Sequence, residues 1–143
     1  MGVHAQYGRV VAMAKITGLG GIFYKVADPT ATQAWYQRYL GIGGPWGANL
    51  AWSGEAQEDP YSVLSPFGQD SDYFAPSTAA FMINLRVDDC DAMVAKLRGE
   101  GIEILGEQAE EYGKFAWIVD CDGIKIELWE QSGPAPTEDS DGA

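Results

Sequence analysis

The sequence predicts an α+β fold made of two tandem βαβββ modules in one domain. The chain has 143 residues, the length of one domain. Residues 22–28 and 83–89 match at a constant offset of 61, and each segment reads as a strand followed by a helical pattern. The repeat divides the domain at 15–131 into a first module at about 15–78 and a second at about 79–131.

In each module the first strand ends at an aspartate that can cap a helix. Asp28 precedes Pro29, a residue favoured at the first helical position, and Asp89 takes the equivalent place in the repeat. An apolar stripe follows at helical spacing, formed by Ala31, Ala34, Trp35 and Leu40 in the first module and by Ala92, Met93, Ala95 and Leu97 in the second. The helices are predicted to end at Gly41 and Gly101, because glycine readily closes a helix.

Strands complete each module. After the second helix they are predicted at 102–106, 114–120 and 124–130. The Asp122-Gly123 pair indicates the turn of the last hairpin. In the first module, 46–52 and 61–66 are predicted strands separated by an acidic loop at 54–59, and the pattern places no fourth strand.

The composition is that of a globular domain with an acidic surface. The formal net charge is −12, and only one of the 21 acidic residues lies before Gly54. Such a surface repels phosphate backbones, which makes nucleic acid a poor partner, and it attracts cationic small molecules. No run reaches the roughly 18 apolar residues of a membrane span, so no membrane partner is expected. Cys90 and Cys121 lack metal-type spacing and indicate reduced thiols in the cytoplasm.

The two ends of the chain differ from the body. Residues 1–14 show no clear periodicity and are interpreted as an N-terminal extension. Residues 132–143 consist largely of proline, glycine, serine and acidic residues. Because such a segment cannot bury enough apolar surface to order itself, we expect a disordered acidic tail.

Two motifs carry a family resemblance, namely Asp28-Pro29 with Trp35-Tyr36 and Leu40-Gly41, and Asp122-Gly123 with Ile126-Glu127-Leu128-Trp129. Together with the repeat, they resemble the vicinal oxygen chelate superfamily, the group of glyoxalase I, extradiol dioxygenases, and fosfomycin and bleomycin resistance proteins. The resemblance covers about residues 15–130. It implies that the modules form a curled mixed sheet, a cup with the helices outside, and that the cup holds the ligand.

The resemblance also implies where a metal would bind. The family takes a histidine or similar ligand from the first strand of each module and a carboxylate from the last. These positions fall on Gly21, Met82 and Glu127, and only Glu127 has a side chain of a type that binds metals. The sole histidine, His4, lies in the extension. Because a catalytic metal needs about three protein ligands, we expect neither a metal nor another cofactor.

The side chains that face the cup follow from Glu127, because residues two apart on a strand share a face. Lys125 and Trp129 then accompany Glu127. The repeat-related strands contribute Phe23, Lys25, Met82, Asn84 and Arg86. Trp46 and Trp52 join this ligand-binding set because they lie outside any core pattern. The opposite face is predicted to be core and comprises Ile22, Tyr24, Val26, Ile83, Leu85, Val87, Ile126 and Leu128.

These residues also have purely structural interpretations. Glu127 is either a ligand-orienting carboxylate or general base, or the relic of a metal site, held by an ion pair with Lys125 or Arg86. The aromatic and apolar members, Phe23, Met82, Trp129, Trp46 and Trp52, form either a ligand platform or packing within the core or a dimer interface. Lys25 and Arg86 either clamp an anion or are solvated.

Three functions remain open. The first is a metal-independent small-molecule binder similar to bleomycin resistance proteins, whose guest is cationic or aromatic. The second is a lyase, isomerase, epimerase or dioxygenase-type enzyme that uses Glu127 as acid, base or metal ligand. The third is a domain with a vestigial cup that binds a protein. We also expect a homodimer, since unpaired sheet edges are a liability.

Overall fold

A computed structural model describes residues 14–15, 19–45 and 47–136. Residues 1–13 of the predicted extension and 137–143 of the predicted tail lie outside this part of the chain. The described residues form an α+β structure with an open four-stranded mixed sheet, as the sequence predicts. No helix among them is long and apolar enough to cross a membrane.

The first helix, α1, spans Pro29–Trp35 and continues without interruption into a π-helical turn at Tyr36–Leu40. The Asp28 carboxylate caps it by accepting a hydrogen bond of 3.2 Å from the backbone N–H of Ala31. Gly41 ends it with a φ of 72°, a conformation that suits glycine. The predicted helix, its cap and its end are therefore confirmed.

The second module contains the whole sheet. Its elements are β1 at Ile83–Arg86, α2 at Cys90–Gly99, β2 at Gly106–Glu110, β3 at Gly113–Val119 and β4 at Lys125–Gln131. The strand order is β1-β4-β3-β2, with β1 parallel to β4 and the other pairs antiparallel. Asp89 caps α2 by accepting from Ala92 N–H at 3.0 Å. The βαβββ order predicted for this module is confirmed.

One strand of this module begins later than predicted. Ile102 and Ile104 pack against the core beside the sheet, and ladder pairing starts only at Gly106. The strand itself, β2, is almost entirely exposed. Because β2 is a polar edge strand, it carries no apolar pattern that would mark its position. The two isoleucines that precede it lie outside the strand.

The core lies between one face of the sheet and the helices. Its largest fully buried side chains are Leu97, Ile118, Ile126 and Leu128, and Tyr36 of the first module packs with them. Ile126 and Leu128 therefore face the helices, as predicted. Since side chains alternate along a strand, Glu127 and Trp129 face the other way, toward the candidate site.

The strands predicted for the first module do not form among its described residues. No ladder includes residues 19–45 or 47–82, and Ile22 and Tyr24, predicted to be core, are 50% and 37% exposed. The predictions of strands at 22–28 and 61–66 are therefore wrong, as is the described part, 47–52, of the strand predicted at 46–52. Short connections join β2 to β3 and β3 to β4 into antiparallel pairs, whereas no such pair forms among the described residues between 41 and 82.

Candidate functional site

A large open cavity lies on the sheet face opposite the helices. Its volume is about 1460 Å³, larger than the usual small-molecule pocket of roughly 300–1,000 Å³. Strands β1, β3 and β4 form the floor, and residues 61–82 form much of the wall. The sheet thus supplies a fixed surface, while the wall comes from a segment that contains no strand in the described chain.

Three aromatic rings cross the cavity floor in parallel. Phe115 lies between Trp117 and Trp129, with ring centroids 6.2 Å and 6.0 Å away and interplanar angles of 10° and 3°. Phe115 is paired with Trp129 across β3 and β4, which puts both on one face. Tyr73 meets Trp117 edge-on, and Tyr61 meets Trp129 in the same way. Such a row offers extensive apolar contact to a planar ligand.

Sequence reasoning missed Phe115 and Trp117, although the signal was present. The turn at Asp122-Gly123 fixes the register of β3 against β4, and this register pairs Trp117 with Glu127. Continuing the two-residue alternation across that turn would have placed both aromatic residues on the face of Glu127.

Glu127 lies among these rings and is only 8% exposed. Its Oε1 accepts from Asn84 Nδ2 at 2.7 Å, and its Oε2 accepts from Trp117 Nε1 at 2.7 Å and from the Tyr73 hydroxyl. Burial, reinforced by the hydrogen bond to Glu127, raises the pKa of Tyr73 above its ordinary value. Three neutral donors therefore hold the carboxylate.

The alternative in which Glu127 is held by an ion pair is wrong for the described chain. Arg86 pairs instead with Glu55 of the acidic loop, with Nε 3.0 Å and 3.1 Å from the two carboxylate oxygens. Its remaining guanidinium nitrogens donate to Glu55 and to the backbone oxygen of Tyr61. The hydrogen bonds from Arg86 lower the pKa of Glu55 despite its partial burial. Arg86 therefore lines the cavity, and its charge is matched by that of Glu55.

Lys125 contacts the segment that forms the cavity wall. Its Nζ donates to the backbone oxygen of Tyr73 at 2.6 Å and lies 5.1 Å from the centroid of the Tyr73 ring. The same ammonium is 5.8 Å from the Trp117 ring. Both contacts are within cation–π range. Lys125 therefore fastens the segment that carries Tyr73 and does not itself line the cavity.

The remaining candidate residues divide between the cavity and the surface. Met82 lines the cavity beside β1, and Phe23 borders it with 96% of its surface exposed. Lys25 and Trp52 do not line it: Lys25 is exposed, and Trp52 lies in a 3-10 turn at Trp52–Gly54 with 76% of its surface exposed. The assignment of Lys25 and Trp52 to the ligand set therefore has no support from this cavity and stays a prediction. Trp46 lies outside the described residues.

The donor set around Glu127 does not fit the metal that the family resemblance implies. Within residues 14–15, 19–45 and 47–136, no group of three or more His, Cys, Asp or Glu side chains is placed to hold a metal ion. Both oxygens of Glu127 accept hydrogen bonds, so N–H and O–H hydrogens would face a cation bound there. The site is built to hold a carboxylate in place by hydrogen bonds.

Comparison with known proteins identifies the fold. No protein-family model matches the sequence, and no curated protein matches it significantly. A solved antibiotic-binding protein from Streptomyces sp. CB03234 is 22% identical, with a TM-score of 0.52 over 84% of this chain and 100% of that chain. A protein from the mobile metagenome of V. pseudocholerae is 17% identical, with a TM-score of 0.53 over 85% of this chain and 100% of that one.

A shorter match has higher identity. A glyoxalase/bleomycin resistance protein from the same Streptomyces strain is 35% identical, but the match spans 34% of this chain and 42% of that chain, with a TM-score of 0.32. The chain thus spans less than half the length of that protein. From the two longer structural matches, together with the second-module topology, we conclude that this chain shares the fold of the antibiotic-binding protein and of the V. pseudocholerae protein, in agreement with the fold that the resemblance to the vicinal oxygen chelate superfamily implies.

Proposed function

We propose that the protein binds a small molecule in this cavity without a metal, and that Glu127 orients the bound molecule. The observation that carries the proposal is a carboxylate, 8% exposed, held by three donors on an aromatic floor. Buried charge is costly, so such an arrangement indicates a purpose beyond packing. The same fold in an antibiotic-binding protein of Streptomyces supports a binding role.

The charges around the cavity favour a neutral or cationic guest. A carboxylate is acceptor-only, so the guest must present an N–H, an O–H or a positive charge to Glu127. The one arginine on the floor is matched by Glu55, and the chain carries a net charge of −12. An anionic guest would therefore meet repulsion, and no unpaired cationic side chain among the described residues of the cavity lining would offset it.

Glu127 is better placed to bind than to act as a general base. A base needs a lone pair directed at the proton that it removes. A carboxylate has about four acceptor positions, and three of those of Glu127 are already taken by Asn84, Trp117 and Tyr73. The crowded carboxylate favours recognition over proton transfer.

A charge-removing variant tests the proposal. Proflavine, a cationic planar amine, is titrated into the wild type and into Glu127→Gln, and binding is followed by the fluorescence of the dye. Loss of a charge-assisted contact should weaken binding about ten- to hundredfold, whereas anilinonaphthalene sulfonate, an anion, should bind poorly to the wild type. Equal affinity of both proteins for proflavine would contradict the role of Glu127.

Glu130→Gln is the matched control. Glu130 lies on the same strand, but its carboxylate faces α2, where it accepts from the Cys90 N–H at 2.8 Å. The Glu130→Gln substitution removes the same charge outside the cavity and should leave proflavine affinity unchanged within about threefold. Metal independence is tested on the same protein by dialysis against chelator and by titration with zinc, nickel, manganese and ferrous iron. One metal held tightly per chain would contradict that part of the proposal.

A further inference from the structure

We propose that the Tyr73 side chain fills part of the binding site when no ligand is bound. The ligand is a planar aromatic molecule with a hydroxyl or N–H donor, and it displaces the Tyr73 phenol from Glu127 when it binds. The inference rests on the proposed function, because it takes the cavity as the binding site. It adds the chemical class of the ligand and a competition that sets the affinity.

The ring of Tyr73 already receives the contacts that an aromatic ligand would receive. Phe67 stacks on it with centroids 5.4 Å apart and planes 18° from parallel. Trp117 meets it at 89° with centroids 6.4 Å apart, and the Lys125 ammonium lies 5.1 Å from its centroid. Stacked, edge-on and cationic contacts of this kind are those that bind planar aromatic groups.

The hydroxyl of Tyr73 occupies the polar centre of the cavity. It donates to the same oxygen of Glu127 that accepts from Trp117. Because the pKa of Tyr73 is raised by its burial and by Glu127, the phenol stays protonated and remains a donor. A ligand that takes its place must also donate a hydrogen bond, so phenols and aryl N–H compounds fit and carboxylic anions do not.

Tyr73 is the donor that can leave without breaking the sheet. Asn84 and Trp117 belong to β1 and β3, whose backbones are held by ladder pairing. The Tyr73 segment is held by turn hydrogen bonds such as Ala75 N–H to Asp72 O at 3.0 Å, and by Lys125. Its side chain is 37% exposed, whereas that of Glu127 is nearly covered. Exchange of the phenol for a ligand therefore leaves the floor intact.

The test compares two probes that differ by one donor. 2-Naphthol carries a hydroxyl, and 2-methoxynaphthalene lacks it. Each is titrated into the full chain by isothermal calorimetry, for the wild type and for Tyr73→Phe, which keeps the ring and removes its competing hydroxyl. The variant should bind 2-naphthol about tenfold more tightly than the wild type. The ligand then no longer has to displace a hydroxyl that donates a hydrogen bond to the Glu127 carboxylate. In both proteins 2-methoxynaphthalene should bind about tenfold more weakly than 2-naphthol, because it cannot donate a hydrogen bond to Glu127. Equal affinity for the two probes would overturn the requirement for a donor.

Tyr112→Phe is the matched control. Tyr112 lines the same cavity, and among the described residues its hydroxyl makes no hydrogen bond to Glu127. Both affinities of this variant should equal those of the wild type. Unchanged or weaker binding of 2-naphthol by Tyr73→Phe would overturn the competition while leaving the cavity as a binding site. If neither probe binds to the wild type, to Tyr73→Phe or to the more open Tyr73→Ala, the proposed function fails and this inference with it.

Discussion

The hydrogen bond between Tyr36 and Asp120 joins the two halves of the chain, and breaking it should lower stability. The Tyr36 hydroxyl donates to Asp120 Oδ2 at 2.5 Å, and both residues are buried. The other oxygen of Asp120 accepts from Asp122 N–H at 2.8 Å and from Ile124 N–H at 2.9 Å. One carboxylate thus binds both the π-helical turn that follows α1 and the turn between β3 and β4.

The magnitudes follow from what each substitution leaves unpaired. Tyr36→Phe removes one charge-assisted bond, and Asp120 keeps its two backbone donors, so the loss should be about 2 kcal/mol. Asp120→Ala leaves the Tyr36 hydroxyl and the Ile124 N–H without their acceptor, which should cost about 3–4 kcal/mol. The double variant should cost about 2 kcal/mol less than the sum, because the orphaned hydroxyl is then absent.

Urea unfolding followed by tryptophan fluorescence measures this coupling. With a slope of about 2 kcal/mol per molar urea, Tyr36→Phe should lower the midpoint by about 1 M. Tyr39→Phe serves as the control, since its hydroxyl makes no hydrogen bond within the described residues and its loss should cost less than about 0.5 kcal/mol. Additive losses in the double variant, within about 0.5 kcal/mol, would refute the reasoning.

Three more predictions concern backbone, charge and assembly. Gly113→Ala should cost about 3 kcal/mol or more, measured by urea unfolding, because its Cβ would lie 2.3 Å from the Glu130 carbonyl oxygen at a φ of 145°. The lowered pKa of Glu55 gives stability that is present above its ordinary pKa of 4.5 and lost as pH falls through the lowered value. Arg86→Met should therefore flatten the acid decline of Tm, and an unchanged decline would count against the ion pair. A homodimer should give about twice the 15.5 kDa chain mass in light scattering, since the outer edges of β1 and β2 have no partner in the described chain, and a concentration-independent monomer would contradict it.

The second module was predictable because its signals are local. Asp89 marks the start of a helix, Gly101 its end, and Asp122-Gly123 a hairpin, and each acts within a few residues of chain. The face of Glu127 followed from alternation alone. The aromatic partners of Glu127 needed the register across the hairpin, which periodicity within one strand does not give.

The first module was predicted less well because its sequence pattern does not show which other strand would pair with each segment. The segment at 22–28 repeats the pattern of β1, but a strand forms only where another backbone supplies the ladder. The role of Tyr73 was also out of reach, because it depends on a loop contact with Glu127 that spans 54 residues. The ion pair between Arg86 and Glu55 of the acidic loop could not be predicted for the same reason, since the two residues lie far apart in the chain.

The position of the sheet in the chain constrains the order in which the protein is synthesised and folded. Among the described residues every ladder pair lies within 83–131, and the last strand, β4, pairs with both β1 and β3. The ribosome therefore synthesises Tyr36 84 residues before Asp120, the acceptor of its hydroxyl hydrogen bond. Until β4 emerges, the floor residues Phe115 and Trp117 of β3 lack the strand against which they pair, and a partly synthesised chain exposes apolar surface of the kind that promotes aggregation.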